Sequence, residues 1–202
     1  MTTDQPSAGS SGVPTQDASN PVAPAQATSA QATSAPTTPT QAQPRQVIFV
    51  CWGNICRSPM AERVARKQAL VAGLTDVVFT SAATSTDEIG HPIDPRGRRV
   101  LERAGYEADG HSAHQITTEE IAQAELVVVM EQLHIDLLLR RAPQATNLVL
   151  LTDFDPAHRG EPVDDPWFGP DSAFDVTLAA IESALPGLFD YLKNPSGLAE
   201  AV

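Results

Sequence analysis

Four short strand-like runs, at residues 47–50, 77–80, 126–130 and 148–151, alternate with segments of helical spacing, and that alternation is the strongest constraint on the fold. The first run, Val47-Ile48-Phe49-Val50, is apolar without interruption, as in a strand covered on both faces. Strands joined through helices pair in parallel, because the crossover returns the chain to the same end of the sheet. The expected fold is therefore α/β, a doubly wound three-layer sandwich around a central four-stranded parallel sheet. Helices are expected at 95–104, 118–123 and 133–141. Another should begin with Ser58 as N-cap and Pro59 as its first residue, with Met60, Val64 and Val71 on its apolar face. Near the end, Phe174, Leu178, Ile181, Leu185, Leu188 and Leu192 recur at alternating spacings of four and three, one face of a long helix. Pro186 within it should kink or interrupt it.

Residues 1–45 differ in kind. They are almost wholly Thr, Ser, Gln, Ala, Pro and Gly, without an aromatic residue, and include the near-repeat Gln26-Ala27-Thr28-Ser29-Ala30, Gln31-Ala32-Thr33-Ser34-Ala35. So little apolar surface does not offset ordering entropy, and a disordered tail is expected, followed by a domain at 46–194 and a short tail at 195–202. The chain carries 13 Lys and Arg against 25 Asp and Glu, which argues against nucleic acid or an anionic membrane as partner. A phosphorylated substrate stays open, since a small site can be positive inside an acidic protein. There is no run of about 18 apolar residues to span a membrane, and no signal-peptide pattern opens the chain. Two cysteines make neither a disulfide framework nor, by themselves, a zinc site. A cytoplasmic monomer using no metal or cofactor is the expectation.

In open α/β sheets ligands bind beyond the carboxyl ends of the strands. After the first strand comes Cys51-Trp52-Gly53-Asn54-Ile55-Cys56-Arg57-Ser58-Pro59. A loop curled at a helix N-terminus points several backbone N–H groups into one concavity and adds the positive end of the dipole. Gly53 permits a tight turn, Asn54 tolerates a left-handed backbone, and Arg57 supplies a planar fork for two phosphoryl oxygens. The same field favours the thiolate of Cys51, the form that attacks phosphorus, and the Ser58 hydroxyl is placed to donate to it. A cysteine at a strand end is ordinarily a small buried hydrophobe. Packing alone, however, does not call for Cys, Gly, Asn, Arg and Ser-Pro in this order.

This segment resembles the phosphate-binding loop of the low-molecular-weight protein-tyrosine phosphatases. The resemblance extends over about residues 47–193, through Thr80-Ser81-Ala82-Ala83-Thr84-Ser85 and Asp165-Pro166-Trp167-Phe168-Gly169. It implies that Cys51 is the nucleophile, that Arg57 binds the phosphoryl group and that Asp165 is the general acid and base, acting on a phosphotyrosine-containing protein. Residue reading alone leaves Asp155, Asp164, Asp165 and Asp171 equal candidates within the polar loop 154–171. The resemblance also implies that Trp52, Gly53, Asn54, Ile55, Cys56 and Ser58 line the phosphate site. Trp167 and Phe168, which otherwise could simply pin the loop to the core, would wall the aryl slot. Ile55 favours tyrosine, since related arginine phosphatases tend to carry Thr there. Cys56 would form a reversible disulfide with Cys51, Ser81 would hold Asn54, and Glu62 and His111 would lie together behind the loop.

Several residues depart from the family's pattern. Trp52 is bulkier than expected and should narrow one wall, Asp87 stands where an aromatic residue often flanks the pocket, His114 replaces an arginine, Glu131 an aspartate, and Leu133 is unusual. Other readings are an arginine phosphatase, an arsenate reductase of the same fold, or an idle phosphate-binding module. Arsenate reduction in that related family uses further cysteines, and none follows Cys56.

Overall fold

Each of the four runs is a strand in the computed structural model, which describes residues 44–194. Apart from Pro44 and Arg45, the stretch expected to be disordered, 1–45, lies outside the described residues, as does 195–202. β1 (Arg45–Cys51), β2 (Val77–Ala83), β3 (Leu126–Val129) and β4 (Leu148–Leu150) form one sheet of order β2-β1-β3-β4, parallel throughout. Between and after them lie α1 (Arg57–Ala72), α2 (Pro95–Arg103), α3 (Thr118–Gln123), α4 (Gln132–Arg141) and α5 (Ala173–Lys193).

The uninterrupted apolar run of β1 is explained by the two layers it separates. Val47, Phe49 and Cys51 face a core shared with Met60 and Val64 of α1, Leu101 of α2 and Ile181 and Leu185 of α5. Ile48 and Val50 face the other core, with Ile121 of α3 and Leu138 of α4. Side chains alternate across a strand, so only a strand between two helical layers needs every position apolar. Phe79 of β2 joins the first core, stacked on Phe49 at 6.2 Å and edge-on to Phe189 at 6.0 Å.

Three local expectations are corrected. Ser58 does not cap α1: the helix starts at Arg57 behind Cys56, with no side-chain cap. The Ser58 hydroxyl instead faces Cys51 Sγ at 3.0 Å. Pro59 is then the third helical residue, still within the turn whose N–H groups have no intrahelical partner. Val71 is exposed although its spacing puts it with Met60 and Val64, because towards its end α1 turns Ala65, Ala69 and Ala72 to the core and leaves Val71 at the edge of that face. Finally, α5 passes through Pro186 without interruption. Beside that proline the helix meets the backbone of the 3-10 turn Leu151–Phe154 so closely that a Cβ on Gly187 would lie 2.1 Å from Phe154 O.

The turns that place the site have readable causes. Asp94 caps α2 by accepting from Arg96 N at 2.8 Å, with Pro95 in the first turn. Thr117 and Glu120 cap α3 reciprocally. β2 runs three residues past its expected end because Phe49, Val50 and Cys51 are paired with Ser81, Ala82 and Ala83. Among the described residues, no helix is long and apolar enough to cross a membrane.

Candidate active site

β1 lies between β2 and β3, and its last residue is Cys51. The chain then curls from Trp52 to Cys56 before entering α1. Asn54 takes φ 57°, the left-handed value that asparagine tolerates. Its side chain fastens the curl: Nδ2 donates to Ser58 Oγ at 3.0 Å and Ser81 Oγ at 2.9 Å, and Oδ1 accepts from His114 N at 3.2 Å. Ser81 in turn donates to Glu62 Oε2 at 2.5 Å, and His111 Nε2 lies 2.7 Å from Asn54 O. Burial is the main cause lowering the His111 pKa, so its imidazole is neutral and donates to that carbonyl. Asn54, Ser58, Glu62 and Ser81 are all buried, and their mutual bonds satisfy polar groups that water does not reach.

With the curl fixed in this way, the N–H groups of Gly53, Asn54, Ile55 and Cys56 take part in no backbone–backbone bond among the described residues. They follow directly on Cys51 at the end of β1, whose Sγ lies 3.0 Å from Ser58 Oγ. Arg57 is 2 % exposed, with Nη1 donating to Glu131 Oε1 at 2.9 Å and to Val163 O at 3.1 Å, and Nη2 to Asp165 Oδ2 at 2.5 Å. Its Nε is buried without a partner among the described residues. A cavity of about 510 Å³ opens over these groups, lined by Cys51, Trp52, Gly53, Ile55, Cys56 and Arg57 from the curl and by Asp87, Glu88, Glu131, Leu133, Asp165, Trp167 and Phe168. Of the four loop aspartates, only Asp165 reaches it. A sulfur, a buried guanidinium and a curl whose amides lack backbone partners thus meet at one cavity, a set of groups whose chemistry suits a tetrahedral oxyanion.

The profile of the low molecular weight phosphotyrosine protein phosphatases matches residues 46–197. The chain belongs to that family. It is 42 % identical to the low molecular weight protein-tyrosine phosphatase A of Mycobacterium tuberculosis over 156 residues, 76 % of this chain and 94 % of that one. To the low molecular weight protein-tyrosine-phosphatase of Streptomyces coelicolor it is 40 % identical over 155 residues, 74 % and 94 % of the two chains. Its fold is similar to that of a protein tyrosine phosphatase from Entamoeba histolytica, with TM-score 0.71 and 28 % identity, covering 75 % of this chain and 98 % of that one.

Two of the departures from the phosphatase pattern meet in space. Trp52 Nε1 donates to Asp87 Oδ2 at 2.8 Å, so the extra indole on the curl is tied to the residue that stands in place of a flanking aromatic. Glu131 reaches Arg57, and Leu133 lines the cavity beside it. His114 faces Glu120 at 3.0 Å, away from the cavity lining. Phe168 is 95 % exposed at the rim, while Trp167 is held from behind.

That hold is Arg96, which sequence reading passed over. Its guanidinium grips Asp94 at 3.0 Å from both Nε and Nη2, donates to Trp167 O at 3.2 Å and Gly169 O at 3.4 Å, and lies over the rings of Trp167 and Phe174. Asp94-Pro95-Arg96 signals a helix start, but nothing in it announces a partner 71 residues away. His134 was also missed. It is fully buried, 3.4 Å from Glu131, and held neutral, its pKa lowered to about 3 by burial and then by Arg57.

Proposed function

We propose that this chain hydrolyses phosphotyrosine in proteins through a cysteinyl phosphate on Cys51. The observation that carries the reading is Cys51 Sγ at the floor of a cavity shared with the buried Arg57 and with Asp165 at its mouth. The sulfur attacks phosphorus, an S–P bond forms and the P–O bond to the phenol breaks. Asp165 gives its proton to the departing oxygen, whose parent phenol has a pKa of about 10 and leaves poorly as an anion. Arg57 and the amides of Gly53, Asn54, Ile55 and Cys56 stabilise the equatorial oxygens of the transferring group. Water then attacks phosphorus, Asp165 takes its proton, and the S–P bond breaks. The Ser58 hydroxyl, 3.0 Å from the sulfur, donates to the thiolate as it leaves.

Trp52 on one side and Trp167 on the other wall the slot for the aryl ring, with Phe168 at its rim and Ile55 at its base. Ile55, together with relatives named as tyrosine phosphatases, favours tyrosine over arginine phosphate. Both cysteines are free thiols, which suits a cytoplasmic enzyme.

The test is hydrolysis of p-nitrophenyl phosphate and a phosphotyrosine peptide in EDTA by wild type and Cys51→Ser, with phosphoserine, phosphoarginine and arsenate as controls. Wild type should turn over both aryl phosphates and Cys51→Ser should lose at least about a thousandfold in kcat. Comparable turnover by Cys51→Ser, or a preference for phosphoarginine or arsenate, would defeat the reading.

A further inference from the structure

Asp87 is the carboxylate at the cavity mouth that no cation pairs with among the described residues. Four carboxylates line the cavity, and Arg57 is the only cation in that lining. Glu131 and Asp165 both bond to Arg57, and Glu88 Oε2 lies 2.6 Å from His91 Nδ1. Asp87 is exposed and receives the indole N–H of Trp52.

Its place is fixed. Ser85 N donates to Trp52 O at 2.9 Å and Asp94 N to Ile55 O at 2.8 Å, which ties the segment between them to the phosphate curl at both ends. Glu88 packs its stem over Gly53, where a Cβ would lie 3.0 Å from Glu88 Cγ. Arg57, buried and with its Nε unpartnered among the described residues, is the one cation of the lining available to an anionic group. Asp87 and Glu88 line the cavity that a phosphotyrosine would enter, so the residues on either side of it in a peptide would pass these carboxylates. Glu131 must then share Arg57 with a dianion, and the mouth becomes more negative. A cation beside the phosphotyrosine offsets that charge, and an anion adds to it.

We infer that Asp87, seconded by Glu88, makes this enzyme select phosphotyrosine sites flanked by Arg or Lys and discriminate against sites flanked by Asp or Glu. The inference rests on the phosphatase reading above and names the substrate class of that site.

The experiment compares kcat/KM on two peptides identical except at the neighbours of phosphotyrosine, Arg on both sides in one and Glu on both sides in the other. Wild type, Asp87→Asn and Asp87→Ala are each measured at low salt and in about 0.5 M NaCl, where exposed charges are screened. Wild type should favour the Arg peptide by about tenfold at low salt, and salt should shrink that ratio severalfold. Asp87→Asn keeps an amide oxygen for Trp52 and removes only the charge, so it should lower the ratio by about threefold, as Asp87→Ala should. Equal kcat/KM on the two peptides, or a preference that Asp87→Asn leaves intact, overturns this inference while Cys51-dependent hydrolysis leaves the phosphatase reading standing. Failure to hydrolyse either peptide overturns both.

Discussion

Arg57 Nη2 and Asp165 Oδ2 stand 2.5 Å apart, so the group proposed to hold the phosphoryl oxygens and the group proposed to move the proton hold each other. The bond brings the acid loop over Cys51, and an incoming phosphoryl group competes with a carboxylate for the same guanidinium. Asp164, the adjacent carboxylate, points elsewhere and lines the hollow near Asp155 and Thr177. Asp165→Ala should therefore slow turnover of phenyl phosphate by about a hundredfold or more, and Asp164→Ala should change it little. The deficit of Asp165→Ala should shrink on p-nitrophenyl phosphate, whose phenolate leaves without a proton. kcat/KM on the two substrates, which reports the steps up to phenol release, checks this, and equal deficits there would remove Asp165 from the acid role.

Cys56 sits in the same cavity lining as Cys51, and burial pushes its pKa well up, so it stays a thiol. Peroxide should oxidise the Cys51 thiolate to a sulfenic acid. The Cys56 thiol then condenses with it, forming the disulfide and releasing water. After a peroxide pulse followed by dithiothreitol, wild type should regain most of its activity and Cys56→Ser clearly less. Identical recovery would show that Cys56 gives no protection.

The turn at Asp155–His158 should respond to pH in a defined direction. Asp155 accepts from Ser183 Oγ at 2.7 Å and lies 2.9 Å from His158 Nδ1, and these bonds, Ser183's first, lower its pKa to about 2. The same contact with Asp155 raises His158 above its ordinary value. The Asp155 contribution to stability is complete above the unfolded carboxylate range and fades as pH falls toward about 2. The His158 contribution is complete below about pH 6.5 and fades as pH rises through its raised native value. Wild type should therefore melt above His158→Gln near about pH 6, and the gap should narrow by about pH 9. A gap that widens with pH would contradict the assignment.

Gly187 has no room for a side chain, because Phe154 O occupies that space at 2.1 Å from an added Cβ. Gly187→Ala should destabilise the domain by about 1–3 kcal/mol through overpacking, lowering Tm by several degrees. Thermal melts within about 1 °C of wild type would show that the turn slides away freely.

The sheet and the curl were legible because each rests on adjacent residues. An unbroken apolar run marks β1, and Cys51, Gly53, Asn54 and Arg57 stand within seven positions. The contacts that fell outside sequence reasoning join residues far apart in the chain. Trp52 and Asp87 each looked anomalous, yet the hydrogen bond that pairs them crosses 35 positions. Arg96 was invisible as a brace because its partner carbonyls belong to a loop without periodicity. Ser58 was read both as a helix cap and as a partner of Cys51; the hydroxyl meets the sulfur seven residues earlier and caps nothing. Val71 obeys the helical period, but periodicity does not say that small residues, Ala65, Ala69 and Ala72, form the covered face there.

At the other end of β1, Arg45 bonds Glu125 through two nitrogens at 2.6 Å each and reaches Leu192 O at 2.8 Å. The entry to the first strand and the exit of the last helix are thus stapled together at the base of the sheet, about 20 Å of strand below the sulfur. A label, tether or solid support fixed near either point pulls on the pole without chemistry.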